Sequence, residues 1–396
     1  FHPPSYHLRC VAALSPFNEA LAPSLLPFQH PLLVALKKQI RSSPLLILLV
    51  LVSLAAPRLT AEPVSSPAAF FSDDGREISM ADYPRAETAR QMINAQALAG
   101  GVNRFIHRSQ LTPTEDQPVV RMNRDSFYSS VVVDVSQGAT ITLPDVPEGK
   151  YLSMQPVTED HRTQPMSYGG GTYELATHTG THLYIIVRLD ATLDPEEAKR
   201  YQAGMRISAA SNTSFTAEPV NRESFSTTER ALKEKRGQML QTLGRDRMSL
   251  GMFTSPTDES RAYYVPELHE IASAAGWGGA QFRDNIYEIT PNMPAEGCYQ
   301  ARFEDLGIDA FWSFTVYDRQ GFMFNDVANV NSELAAPNED GTYTVSFGCA
   351  ADAPNRIPIG NASGVFNITV RHYRPSDRVI DGYRLVPSLQ KIQPKK

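Results

Sequence analysis

Charged and hydroxyl side chains crowd one short stretch of the chain, VVRMNRDSFYSSVVVDV, between apolar segments of strand character. The chemically versatile members are Arg121, Arg124, Asp125 and Tyr128. Such a cluster arises where a strand end projects polar groups into a site, or where buried charges brace a loop by pairing. The residue types fit both interpretations, so the choice between a site and a brace stays open at this point.

A second polar group is Glu159, Asp160 and His161. A histidine beside a carboxylate is the usual equipment of general acid–base catalysis. We predict a catalytic set of Asp125, Asp160 and His161, in which Asp160 orients His161 as the base and Arg121 stabilises an anion. The alternative is that these residues form structural braces and that His161 caps a turn. The predicted substrate-binding residues are Arg121, Arg124, Tyr128 and Tyr168.

Other histidines are weaker candidates. His178 and His182 are four residues apart around Gly180, but no third ligand has suitable spacing, so no metal is predicted. No cofactor is predicted either. His372 shares an apolar strand face and is expected to be a bonded core residue, whereas His269 is expected at the surface.

Short strands separated by turn residues occupy both ends of the chain. In the first half, 140–143 alternates and 184–189 is an apolar run. In the second, Trp312, Phe314 and Val316 alternate with polar residues. Such patterns are typical of β-sandwiches and jelly rolls. We therefore predict a mainly β protein with an N-terminal sandwich at 75–192 and a C-terminal one at 281–390.

Helix signals lie before and between these regions. One helix is predicted to begin near Asp82 and to end at Gly100. Residues 193–280 are predicted to form a helical connector. In it Asp194 caps one helix, and the capping box Ser226–Glu229 begins another that ends at Gly244.

The front end resembles a leader and signal peptide, predicted at 1–61. A basic patch precedes the apolar run 45–56, and Ala61 is a small residue at a plausible cleavage point. The run is shorter than the roughly 20 apolar residues of a membrane span. We expect a periplasmic protein without membrane contact in its mature form; an uncleaved anchor is the alternative.

Net charge limits the class of partner that we expect, and cysteine content bears on the compartment. The formal net charge of −6 becomes about −10 once five basic residues and one acidic residue of 1–61 are removed. An acidic chain argues against nucleic acid as a partner. Only Cys298 and Cys349 remain, which could pair in an oxidising compartment or stay as separate buried thiols.

Several longer motifs are similar to two bacterial families. RMNRDSFYSS and YLSMQPVTEDHRTQPMSYGGGTYEL resemble domain of unknown function 1254, and DAFWSFTVYDRQGFMF, DGTYTVSFG and VRHYRPSDRVIDGY resemble domain of unknown function 1214. Together the motifs span most of 75–390 in the usual order. The resemblance implies an immunoglobulin-like N-terminal sandwich, a helical segment and a C-terminal jelly roll. It implies no particular reaction.

Three hypotheses about function follow, and whether the protein is an enzyme stays open. The first is a periplasmic hydrolase that uses the predicted catalytic set. The alternative is a non-catalytic envelope or ligand-binding scaffold, with a small molecule or envelope component in a cleft between the domains. The third is assembly into a homo-oligomer through a sheet edge.

Overall fold

The computed structural model describes residues 62–117 and 120–393, and the predicted signal peptide lies outside them. These residues fall in one compact unit, Thr60–Lys396. Antiparallel strands dominate, which confirms the mainly β prediction. No helix within these two ranges is long and apolar enough to cross a bilayer.

The helices and strands are given in chain order. The α-helices are α1 (Pro67–Phe70), α2 (Tyr83–Ala99), α3 (Pro195–Gly204), α4 (Arg222–Leu243), α5 (Arg245–Met252), α6 (Pro266–Gly276) and α7 (Asp377–Ile380). The strands are β1 (Phe71–Arg76), β2 (Ile106–Arg108), β3 (Ser126–Asp134), β4 (Ala139–Leu143), β5 (Leu152–Thr158), β6 (Ser167–Tyr168), β7 (Gly171–Leu175), β8 (His182–Asp190), β9 (Arg206–Ala209), β10 (Asn285–Ile289), β11 (Met293–Pro294), β12 (Cys298–Phe303), β13 (Phe311–Tyr317), β14 (Asn329–Asn331), β15 (Tyr343–Phe347), β16 (Arg356–Ile357), β17 (Val365–Tyr373) and β18 (Leu389–Ile392). Short 3₁₀ helices lie at Glu259–Tyr263 and Val386–Ser388.

The N-terminal strands form a five-stranded sheet, β2-β3-β8-β5-β6, and a three-stranded sheet, β7-β4-β9. Because side chains alternate along a strand, Val131 and Ile185 point to one face, where they join Ile141 of the smaller sheet in a core. Val132 and Tyr184 point to the other face and pack with the helices. The immunoglobulin-like topology and the boundaries 75–192, 193–280 and 281–390 stay predictions.

The helix signals were partly right. Helix α2 ends as predicted at Gly100, which has φ of 71°, and Asp194 caps α3 by accepting from Glu196 and Glu197 N–H groups. The capping box is wrong: Asn221 caps α4 by accepting from the Ser224 N–H, so 226–229 lies inside the helix. The sequence pattern also missed α5.

The C-terminal strands form a sheet of order β10-β17-β13-β14, with β11 also on β17, and a four-stranded sheet, β16-β15-β12-β18. Trp312, Phe314 and Val370 lie on the core face. The jelly-roll topology stays a prediction. Cys298 at the start of β12 is bonded to Cys349 just beyond β15, so of the two alternatives for these cysteines the structure forms the disulfide.

Candidate functional site

The two five-stranded sheets meet along faces that are polar and yet buried. On the C-terminal sheet the strand register places Tyr287 beside Arg371 and Arg371 beside Ser313. The Tyr151 ring, just before β5 of the N-terminal sheet, packs 5.7 Å from the Tyr373 ring between centroids. We call this contact region the seam. Its members are Asp125, Tyr128, Tyr151, Ser153, Gln155, Tyr168, Arg188, Asp284, Asn285, Tyr287, Ser313, Arg371 and Tyr373.

Asp125 lies in the seam and is only 1% exposed. One carboxylate oxygen accepts from the Ser313 hydroxyl at 2.8 Å and from the Tyr373 hydroxyl at 3.1 Å. The other accepts from the Asn329 amide at 3.1 Å. An Arg371 nitrogen lies 4.0 Å from the first of these oxygens. These contacts are those of a buried brace, with partners supplied by the C-terminal sheet.

The two predicted arginines of the polar stretch contact different parts of the C-terminal half. Arg121 donates to Asn367 Oδ1 at 2.9 Å and Thr369 Oγ1 at 3.0 Å, both on β17. Its φ is 58°, and its carbonyl accepts from Arg371 Nη2 at 2.9 Å. Arg124 lies 3.6 Å from the exposed carboxylate of Asp326. Arg121 therefore faces the C-terminal sheet, whereas Arg124 forms a peripheral ion pair.

The predicted tyrosines, Tyr128 and Tyr168, are both members of the seam. The Tyr128 hydroxyl accepts from Asn123 Nδ2 at 2.9 Å, and the Tyr168 hydroxyl donates to Asp284 Oδ1 at 2.8 Å. Burial and the Asp284 charge raise the pKa of Tyr168 well above its usual value, so the phenol is neutral. Asp284 directly precedes β10, whereas Asp125 directly precedes β3, so the two carboxylates lie at the ends of different strands.

Asp160 does not orient His161. Its oxygens accept from Thr158 Oγ1 at 2.6 Å and contact His178 Nε2 at 3.0 Å. His161 Nε2 instead accepts from the Gly278 N–H at 3.0 Å. His161 has φ of 62° in this turn, and its ring packs against the rings of His269 and Trp277. The predicted base pair is therefore not formed.

His161 belongs to a buried aromatic cluster. Its ring centroid lies 5.7 Å from that of His269 and 5.9 Å from that of Trp277. Burial and the nearby His269 lower the pKa of His161 to about 3, and burial lowers the pKa of His269 to about 4. Neither Nδ1 atom has a hydrogen-bond partner among the described residues. The expectation of a surface position for His269 is wrong, since it is 7% exposed.

Arg188 is one of the seam residues that were not predicted from the sequence, and it is the one that carries a charge without a paired carboxylate among the described residues. It lies on β8 between Tyr128 and Ser153, is 6% exposed, and donates to Gln155 Oε1 at 2.7 Å. No carboxylate within 4.0 Å pairs with it in the part of the chain that the structure describes. An arginine inside the apolar run 184–189 was the available signal, because a buried charge needs a partner.

The remaining histidines have structural partners. His178 contacts Asp160, and His182 Nε2 contacts the Thr213 carbonyl at 2.8 Å. Over residues 62–117 and 120–393 no group of three His, Cys, Asp or Glu side chains could hold a metal ion. His372 Nε2 contacts Glu288 Oε1 at 2.8 Å in the core, as expected.

Surface depressions lie away from these residues. One is lined by Glu229, Arg230 and Lys233 on the outer side of α4. Another lies beside α2, where Arg85, Glu159 and Phe215 contribute to the lining. Neither contains a predicted catalytic or substrate-binding side chain. The seam is the region in which three of the predicted residues, Asp125, Tyr128 and Tyr168, lie together.

Comparisons with known proteins give family and fold. Models for "Protein of unknown function (DUF1254)" and "Protein of unknown function (DUF1214)" match residues 102–216 and 293–377. The chain is similar to the VPA0106 protein from Vibrio parahaemolyticus, with 15% identity, a TM-score of 0.60, and coverage of 79% of this chain and 98% of that one. An uncharacterized protein from Burkholderia cenocepacia matches with 12% identity, a TM-score of 0.43, and coverage of 75% and 84%. The comparison with curated proteins gave no match.

Proposed function

This chain carries a DUF1254 segment followed by a DUF1214 segment, and on that premise we propose that it binds a small carboxylated molecule at the seam. The observation that carries the proposal is Arg188, a buried guanidinium bonded to the neutral Gln155. Burying a charge without a counter-charge costs several kcal/mol, roughly. A ligand carboxylate would supply that counter-charge in the bidentate geometry that arginine favours.

Neighbouring groups support a hydroxylated ligand. Ser153 Oγ and Asn285 Oδ1 are buried and have no hydrogen-bond partner among the described residues. Tyr128 and Tyr287 are half-buried, so ring surface at the seam is accessible from outside. The Arg188 guanidinium carbon lies 5.8 Å from the Tyr128 ring centroid. A small hydroxy acid or sugar acid fits this combination of cation, hydroxyls and aromatic rings.

The proposal extends to an exported, non-catalytic role. The Cys298–Cys349 disulfide supports an oxidising compartment, where such bonds persist. The hydrolase hypothesis has less support, because it requires Asp160 to contact His161. Asp160 contacts His178 instead, and His161 accepts from the Gly278 N–H. Hydrolysis of an ester by the wild-type chain would revive it.

Calorimetric titration with a panel of small hydroxy and sugar acids tests the binding proposal. The wild type is expected to bind a member of the panel, and Arg188→Gln to lose at least about tenfold in affinity through the missing charge-assisted pair. Tyr287→Phe removes one seam hydroxyl and is expected to weaken binding less than Arg188→Gln does. Arg206→Gln, an exposed arginine on β9, is the matched control and is expected to bind as the wild type does. Wild-type binding that survives in Arg188→Gln would place the ligand elsewhere.

A further inference from the structure

A small pocket lies beside α2, apart from the seam, and has a volume of about 170 Å³. Pockets for drug-sized ligands have volumes from roughly 300 Å³ upward, so this one suits a smaller molecule. We call it the α2 pocket. Its apolar lining comes from α1, α2 and the segment 215–220, and includes the buried residues Phe70, Ala86, Ala89, Phe215 and Val220.

Four charged side chains, two of each sign, also line the α2 pocket: Arg76, Arg85, Glu159 and Glu218. Two of them pair with each other, since Arg76 Nε lies 3.3 Å from Glu218 Oε2. Arg76 also lies 3.0 Å from a carboxylate oxygen of Asp82. The charge of Arg76 is therefore balanced within the chain, which leaves Arg85 and Glu159 as the groups available to a ligand.

Arg85 and Glu159 contact the same turn. Arg85 Nη2 donates to Thr179 Oγ1 at 3.2 Å, and Glu159 Oε1 accepts from the Thr181 N–H at 2.7 Å. Gly180 lies between these two contacts, and a Cβ at this position would overlap the Glu159 carboxylate. A guanidinium and a carboxylate thus lie against consecutive residues of one turn, in the wall of one pocket.

These two opposite charges do not meet. Among residues 62–117 and 120–393, no carboxylate oxygen lies within 4.0 Å of Arg85, and Glu159 has only His182 Nδ1 at that limit. A simple carboxylic acid bound to Arg85 would place its charge near the like charge of Glu159, and an amine bound to Glu159 would lie near Arg85. A ligand that carries both charges satisfies both side chains.

We propose that the α2 pocket binds a free α-amino acid with an apolar side chain. Its carboxylate accepts from Arg85, its ammonium group donates to Glu159, and its side chain covers the apolar lining. An α-amino acid carries its two charges on one carbon, which suits a cation and a carboxylate that flank one short turn. The α2 pocket shares no residue with the Arg188 carboxylate site, so each proposal can fail without the other.

The test is calorimetric titration of the full chain with L-alanine, L-valine and L-leucine, followed by two blocked forms of leucine. N-acetyl-L-leucine keeps the carboxylate and lacks the ammonium group, whereas L-leucine amide keeps the ammonium group and lacks the carboxylate. We expect a free amino acid of this set to bind, and both blocked forms to bind at least about tenfold more weakly than leucine. Equal binding of N-acetyl-L-leucine and leucine would overturn the proposal in favour of a simple carboxylate.

Two variants identify the site. Arg85→Gln changes an exposed residue and is expected to lose at least about tenfold in affinity. Glu159→Gln keeps an oxygen for the Thr181 N–H and removes the charge, so it should weaken leucine but leave N-acetyl-L-leucine unchanged. The matched control is Arg104→Gln, an exposed arginine just beyond the other end of α2, which should bind as the wild type does.

Failure of all three free amino acids to bind the wild type overturns the proposal, and so does equal weakening in Arg104→Gln. Melting temperatures give a second readout. Leucine is expected to raise the melting temperature of the wild type and of Arg104→Gln, and to leave that of Arg85→Gln unchanged. A rise in Arg85→Gln as large as in the wild type would place the amino acid outside the α2 pocket.

Discussion

Asp125 was predicted as a catalytic residue because it lies in a dense polar stretch. The structure surrounds it with Ser313, Asn329, Arg371 and Tyr373, which lie far along the chain. Local sequence could indicate that this carboxylate is important, and it supported the brace as an alternative. It could not identify the brace's partners, because contacts between distant strands depend on how the two sheets pack.

Removal of the Asp125 charge should be costly. In Asp125→Asn the buried Arg371 loses its nearby carboxylate, so we expect the free energy of unfolding to fall by about 3 kcal/mol. Urea unfolding measures the change. The control is Asp326→Asn, whose carboxylate side chain is 85% exposed and should matter by less than about 1 kcal/mol. Equal effects of the two substitutions would contradict the brace.

His161 and His269 predict acid sensitivity. Their folded pKa values, about 3 and about 4, lie below the ordinary value of 6.5. Below pH 6.5 the unfolded chain therefore binds protons that the folded chain does not, and stability falls with falling pH. Each histidine should contribute a slope of up to about 1.4 kcal/mol per pH unit.

The variant His161→Asn should remove one of these contributions between pH 6 and pH 5. Asparagine tolerates the positive φ at this position, so the turn should persist. Urea unfolding at several pH values gives the slope for both proteins. An unchanged slope in the variant would show that His161 does not contribute.

At the scale of elements, the strand patterns were read correctly but the environment of their polar faces was not. Alternation of Trp312, Phe314 and Val316 with polar residues indicated a strand with one apolar and one polar face, whereas every residue of β13 is buried. The pattern could give the periodicity, since that follows from backbone geometry. It could not reveal that a second sheet covers the polar face. Helix α5 was missed for another reason: its eight residues show little amphipathic pattern.

The disulfide links the start of β12 to the residues just beyond β15, the neighbouring strand of the four-stranded sheet. It closes a loop with a sequence separation of 51, and such closures contribute about 2–4 kcal/mol. We expect Cys298→Ala/Cys349→Ala to lower the free energy of unfolding by about that amount in denaturant titrations. Reductant should destabilise the wild type similarly and leave the variant unchanged. A wild type indifferent to reductant would argue against the bond in solution.

At the scale of the whole molecule, Glu333 links the two halves. It lies 3.3 Å from Lys150, which also lies 4.0 Å from Asp190. Burial and the Asp190 charge raise the pKa of Glu333 to about 7, although Lys150 opposes them. The folded chain therefore binds a proton that the unfolded chain has released between pH 4.5 and pH 7. That contribution to stability is present below pH 4.5 and is lost as the pH rises through 7.

The variant Glu333→Gln should flatten this part of the profile. At pH 8 it should be more stable than the wild type by about 1–2 kcal/mol, after allowance for solvent screening. At pH 4 the two should agree closely. Thermal unfolding across this range makes the comparison, and a constant difference at all pH values would rule out the proton linkage.

The brace around Asp125 also bears on how such a chain can change over generations. Its carboxylate and the guanidinium of Arg371 come from opposite halves, so we expect a substitution at one position to destabilise the chain unless the other position changes too. A DUF1214 segment transplanted to a new neighbour would bring an uncompensated cation with it. The two segments are therefore joined by a buried contact between opposite charges as well as by the peptide backbone.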